Sequence, residues 1–148
     1  MERESGANSE GPLIGALLRA SWQSVRDRIA NDLSEKGFAD IGAAHLAVLQ
    51  WPSPRGVRVT TLASRARMSR QAMNYLIREL EGMGYLERRR DPSDGRARLV
   101  HLTERGEAAI RSIRASVRRL EREWERELGP RRFAQLRSAL IDLSPASR

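Results

Sequence analysis

The chain has 148 residues, 40% of them hydrophobic, with a formal charge of +8 and a pI of about 11.3. It is long enough for one domain with its own core and too apolar for a disordered chain, and no apolar run approaches the roughly 20 residues of a membrane span. The absence of cysteine removes disulfides, thiol redox sensing and thiolate metal sites, and two histidines, His45 and His101, are too few for a zinc site.

The N-terminus, Met1-Glu2-Arg3-Glu4-Ser5-Gly6, lacks a signal-peptide core, so a cytoplasmic protein is expected. Residues 1–11 are polar and aperiodic and read as a flexible tail. From Pro12 a long amphipathic helix is predicted, with Leu13, Leu17, Trp22, Val25, Ile29 and Leu33 on one side and Gly37 as its stop. A second helix is expected from Ile41 to Trp51, carrying Ile41, Ala44, Val48 and Leu49 and ended by Pro52 and Pro54. Val57-Arg58-Val59 reads as a very short extended segment. Thr60 is the expected cap of a third helix containing Leu62, Ala63 and Ala66.

Met68 turns the chain into Ser69-Arg70-Gln71-Ala72-Met73-Asn74-Tyr75-Leu76-Ile77-Arg78-Glu79-Leu80. Ser69 is a good N-cap, because its hydroxyl can accept a bond from an unpaired backbone N–H of the first turn. Met73, Leu76, Ile77 and Leu80 recur at helical spacing and should face a core. Arg70, Gln71, Asn74, Tyr75 and Arg78 fall on the opposite side. Arg, Gln and Asn are the side chains that make bidentate bonds to guanine and adenine edges in the major groove. An ordinary solvated helix face is the alternative on this stretch alone. A stop is expected near Gly82 or Gly84.

Two short strands follow, Leu86–Arg90 and Arg98–Leu102, around the turn formers Asp91-Pro92-Ser93-Asp94-Gly95-Arg96. They predict a hairpin with a basic tip, in which Arg96 would enter a minor groove and Arg88, Arg89, Arg90 and Arg98 would hold phosphates. Asp91 and Asp94 belong to the turn, and Asp94 could orient an arginine through an ion pair. Thr103 should cap the longest helix, about Glu104 to Leu128. Its apolar line, Ile110, Ile113, Val117, Leu120, Trp124 and Leu128, advances by 3, 4, 3, 4 and 4, close to a coiled-coil seam. Gly129-Pro130 breaks it, and a last helix carries Phe133, Leu136, Leu140 and Leu143.

Charge supports a nucleic-acid partner. Residues 55–101 hold eleven basic and five acidic groups, against five and seven in residues 1–54. The excess surrounds the candidate recognition helix, as phosphate attraction requires. The order helix, tight turn, helix, basic hairpin matches a winged helix-turn-helix, whose second helix enters the major groove while the first braces it. An enzyme is not expected: no nucleophile–base pair, metal cluster or glycine-rich phosphate loop is present.

Five segments now carry a resemblance: Leu62-Ala63, Met68-Ser69-Arg70-Gln71, Leu80-Glu81-Gly82-Met83-Gly84-Tyr85-Leu86, Asp91-Pro92-Ser93-Asp94-Gly95-Arg96, and Val100-His101-Leu102-Thr103-Glu104-Arg105-Gly106. They are similar to the MarR family of transcriptional regulators, over about Pro12 to Leu143. The resemblance implies a mainly α winged helix-turn-helix fold of six helices with a small β-wing. The DNA-binding lobe would span about 41–103 and the dimerisation helices about 12–36 and 104–143. It implies a homodimer on a palindromic double-stranded operator, and for many members a repressor released by a small aromatic or anionic effector. The expected DNA contacts are Ser69, Arg70, Gln71, Asn74, Tyr75 and Arg78 on the helix and Arg88, Arg89, Arg90, Asp94, Arg96 and Arg98 on the wing. Thr60 and Thr61 would lend support. Trp22, His45 and Trp51 are candidates for an effector pocket, and packing roles are the alternative for each. No metal, cofactor or membrane is expected. A regulator without ligand control, architectural or constitutive, is the other functional reading.

Overall fold

The computed structural model describes residues 11–51 and 53–144. The expected tail, apart from Gly11, lies outside the described residues. The first helix, α1, spans Ile14–Glu35 and buries Ile29 and Leu33, while its N-terminal half is exposed. It stops because Gly37 takes the left-handed conformation (φ +82°), which lets Phe38 N–H bond back to the Leu33 carbonyl at 2.9 Å.

The expected second helix is shorter than its apolar pattern. A 3-10 turn over Ala43–His45 leads into a four-residue α2, Leu46–Leu49. The cause is local: the His45 ring accepts the Gly42 backbone N–H through Nδ1 at 2.9 Å, which fixes a tight first turn. Leu46, Val48 and Leu49 still reach the core.

Val57–Arg58 forms β1, and it pairs antiparallel with the hairpin strand β3 (Asp94–Leu102), Val57 opposite Val100 and Arg58 opposite Leu99. The sheet therefore has three strands in the order β1-β3-β2 rather than the two of the expected wing, with β2 being Leu86–Asp91. The extra strand covers part of an otherwise open edge and buries Val57. β2 and β3 also run further than expected, pairing as far as Asp91 opposite Asp94.

Helix α3, Val59–Arg65, starts one residue before Thr60. Thr60 is thus not its cap. Arg58, held extended by its pairing with Leu99, occupies the cap position without a side-chain cap bond, and the helix begins directly after it. Helix α4, Arg70–Gly82, begins where Ser69 predicts: Ser69 Oγ accepts the Ala72 N–H at 3.1 Å. It buries Met73, Leu76, Ile77 and Leu80, and ends through Gly84 (φ +80°).

Helix α5 runs Glu104–Leu128, its N-terminus capped by Thr103 Oγ1 on the Gly106 N–H at 3.1 Å. Gly106 allows the helix to sit on the chain entering β2, since a Cβ there would lie 2.1 Å from the Tyr85 carbonyl oxygen. The fully buried Tyr85 donates its hydroxyl to Asp40, and Arg105 lies over its ring at 4.6 Å while donating to the hydroxyl oxygen at 2.9 Å. Burial pushes the Tyr85 phenol up to about 12, and the Tyr85 hydroxyl holds the Asp40 carboxyl below its usual range. One core joins α1, α2, α3, α4, the sheet and the first half of α5. Part of the α5 seam, Ile110, Ile113 and Val117, packs on that core within the chain. Helix α6, Pro130–Leu143, follows Gly129 and buries no residue.

Candidate nucleic-acid interface

Helix α4 packs its apolar side so completely (Met73, Ile77 and Leu80 are 0% exposed) that its rotation about its own axis is fixed. Arg70, Gln71, Tyr75 and Arg78 are consequently exposed, and Asn74 is half-buried at the edge of the same face. The helix-turn-helix angle is held by a Schellman ending on α3. Arg67 N–H bonds to the Ser64 carbonyl at 3.1 Å and Met68 N–H to the Ala63 carbonyl at 2.9 Å, with Arg67 itself left-handed at φ +51°. Thr60, exposed, and Thr61, half-buried, lie in the first turn of α3, and Ser69 is used as the α4 cap.

The wing leans on α4 through Arg88. Its Nε donates to Glu81 at 3.0 Å and its Nη1 to Asn74 Oδ1 at 3.3 Å, while Arg78 Nε reaches the Asn74 carbonyl at 3.4 Å. Asn74, Arg78, Arg88 and Arg98 thereby line one cleft of about 440 Å3 between the helix and the wing, with Glu81 among them. Four residues singled out from sequence, on one helix and two strands, share one surface. Arg88 and Asn74 are bonded to each other there, so one of the two lone pairs of Asn74 Oδ1 is engaged by the wing. Arg89 is paired with Glu87 on its own strand, and Arg90, Arg96 and Arg98 are exposed.

The acids at the tip are accounted for. Asp91 is buried, and it accepts Arg58 Nη2 at 2.7 Å and Nε at 3.2 Å, Ser93 Oγ at 2.6 Å and Ser93 N–H at 2.9 Å. Those bonds, the Ser93 hydroxyl first and the Arg58 guanidinium next, hold its carboxyl at about 2. Asp94 accepts the Arg96 N–H at 3.1 Å and lies 3.8 Å from Arg58 Nη2. The arginine-orienting role expected of Asp94 falls mainly to Asp91. Arg58, the wing's anchor, was not singled out in the sequence. No spacing signal connects residue 58 to residue 91; only the pairing of β1 with β3 brings them together.

The three candidate pocket residues do not share a cavity. Trp22, 50% exposed, lines a cleft of about 360 Å3 with Arg26, Ala44, Leu46 and Gln50. Trp51 lies under the Arg65 guanidinium, 5.8 Å from the ring centre, beside a separate cavity of about 20 Å3. His45 is buried, and both ring nitrogens are engaged, one by Gly42 and one by Glu79. A further cleft of about 370 Å3, between the base of the wing and α5, is lined by Arg89, His101, Arg111 and Arg114 with Leu102 and Ile110.

The MarR family model matches residues 39–97, which hold α3, α4 and most of the wing. The HTH-type transcriptional regulator PetP of Rhodobacter capsulatus is 33% identical over 111 residues, 74% of this chain and 67% of PetP. Among solved structures, the transcriptional repressor CouR bound to a 23-mer DNA duplex superposes with a TM-score of 0.69 at 24% identity, covering 97% of this chain and 99% of that one. CouR from Rhodococcus jostii RHA1 bound to p-coumaroyl-CoA gives 0.70 at 22% identity, covering 95% of each chain. With the recognition helix, braced turn and arginine-lined wing in place, the chain belongs to the MarR family of winged helix-turn-helix, DNA-binding transcriptional regulators.

Proposed function

We propose that the protein is a cytoplasmic homodimeric repressor that reads a palindromic operator and is released by a small aromatic or anionic effector. The observation that carries the reading is the uncovered face of α4, with Arg70, Gln71, Tyr75 and Arg78 exposed beside the exposed Arg90, Arg96 and Arg98 of the wing. The helix residues, with Asn74, would read base edges, and the arginines of wing and helix would supply the salt-dependent, sequence-independent part of the affinity. Ser69, Thr60 and Thr61, at the starts of their helices, suit phosphate contacts that set register.

Dimerisation is supported by apolar surface that one chain does not cover. Leu13 at the start of α1, Ile14, Leu17, Leu18 and Trp22 on it, and Leu136, Leu140 and Leu143 on α6 are each at least 38% exposed. Two lobes related by a twofold axis would address half-sites about 34–36 Å apart, which is the physical source of a palindrome. For the effector, the cleft of about 370 Å3, where Arg89, Arg111 and Arg114 outnumber Glu107 beside Leu102 and Ile110, suits a small anion with an apolar body. The ligand-bound CouR structure supports an effector, and its DNA-bound structure supports the duplex.

The test is selection of bound duplexes from a random pool, followed by titration of aromatic carboxylates into the recovered complex. A twofold-symmetric motif is expected, weakened by at least one such compound. Equal retention of all sequences would overturn the base-reading assignment, and a chain that sediments as a monomer on its duplex would overturn the dimer.

A further inference from the structure

Tyr75 on the outward face of α4 is not an independent hydroxyl. It ends a chain of bonds that begins at the Gly42 backbone and runs through the buried His45. The Gly42 backbone N–H donates to His45 Nδ1 at 2.9 Å, so that nitrogen is an acceptor and the ring proton sits on Nε2. Nε2 lies 3.1 Å from Glu79 Oε2 and donates to it. The other carboxylate oxygen, Oε1, accepts the Tyr75 hydroxyl at 3.0 Å. A carboxylate has nothing to donate, so the phenolic proton is committed to Glu79. The same bonds hold Glu79 below and Tyr75 above their ordinary ranges, which keeps the carboxylate ionised and the phenol protonated. What Tyr75, 59% exposed, can offer to a partner is therefore lone pairs only.

In the major groove, adenine N6 and cytosine N4 are donors, whereas guanine O6 and N7 and thymine O4 are acceptors. We propose that Tyr75 reads an exocyclic amino group, on adenine or cytosine, as a hydrogen-bond acceptor, its polarity set by Glu79. His45 is the positioning residue, since it fixes which way the carboxylate faces. This rests on the reading of α4 against base edges proposed above.

The experiment is duplex selection from a random pool with the full chain and four variants: Tyr75→Phe, Glu79→Gln, His45→Asn and His45→Gln. The parent should yield a motif with one position per half-site restricted to amino-bearing bases. Tyr75→Phe should lose that restriction by about threefold to tenfold, with the other positions kept. In Glu79→Gln the amide N–H2 can donate to the phenol oxygen and free its proton, so the same position should move toward guanine or thymine. His45→Asn keeps an oxygen for Gly42 but cannot reach Glu79, and should blur that one position. His45→Gln keeps a donor near Nε2 and should retain it. A parent without any motif would defeat the reading of α4, and this inference with it. A parent motif left unchanged at every position by Tyr75→Phe, or by Glu79→Gln, would overturn the polarity assignment alone.

Discussion

Three helices of this chain end in the same device, and one of them uses the wrong residue. α1 and α4 turn through Gly37 (φ +82°) and Gly84 (φ +80°), whereas α3 turns through Arg67 at φ +51°. A left-handed conformation costs an L-residue with a Cβ about 1–2 kcal/mol, and costs glycine almost nothing. Glycine also frees the unfolded chain, which returns about 0.4–1 kcal/mol of that gain. Arg67→Gly is therefore expected to be more stable than Arg67→Ala by about 1 kcal/mol. Both substitutions delete the same exposed guanidinium, so their difference isolates the backbone. In a chain of this length that difference is roughly 2–4 °C in melting temperature. The assay is urea unfolding of the two variants at one protein concentration, because the proposed dimerisation would make apparent stability concentration-dependent. Equal midpoints at equal slopes, or a more stable alanine variant, would refute the strain argument at the turn that sets the helix-turn-helix angle.

Acid should loosen the wing. The Asp91 carboxyl is held at about 2 in the folded chain against an ordinary 3.8, so its stabilising contribution is complete above about pH 4 and disappears as pH falls toward 2. The melting temperature of the parent should fall more steeply over that window than that of Asp91→Asn, and parallel curves would sink the assignment. Gly106→Ala should cost about 1–3 kcal/mol in urea unfolding, since the added methyl would meet the Tyr85 carbonyl at 2.1 Å and backbone must move. Arg96→Ala should weaken operator binding and reduce the slope of log K against log salt by about 0.9, with the selected major-groove bases unchanged. Anisotropy titrations across a salt series read this directly, and an unaltered slope would remove Arg96 from the charged contacts with the duplex. If α6 lies in the proposed dimer interface, Leu140→Glu, at a position 44% exposed in one chain, should sediment as a monomer where the parent sediments as a dimer.

Much of the architecture is written locally in the chain. Ser69 and Thr103 cap the helices they were expected to cap, because a cap is an interaction across three residues and needs no tertiary partner. The core side of α4, Met73, Leu76, Ile77 and Leu80, followed from a 3.6-residue period, and its outward side was then fixed by default. Where the local signal was outweighed, a distant or side-chain contact did it. The apolar run from Ile41 to Trp51 carried a helical pattern, and the His45 ring on Gly42 tightened its first turn. Thr60 had the right chemistry for a cap, and the pairing of Arg58 with Leu99 placed the helix start one residue earlier.

By itself, then, the amino-acid order determined the winged helix-turn-helix, the outward polar face of its second helix and its basic wing, since periodicity, caps and turn formers act within a few residues of each other. Tertiary structure decided how those parts are wired. Arg58 reaches Asp91 across 33 positions, Arg88 ties the wing to Asn74, and His45 reaches Glu79 across 34 positions and through it sets the polarity of Tyr75. Such bonds depend on which elements end up within about 3 Å, and that distance is set by the packing of the whole core, to which no short stretch of sequence has access.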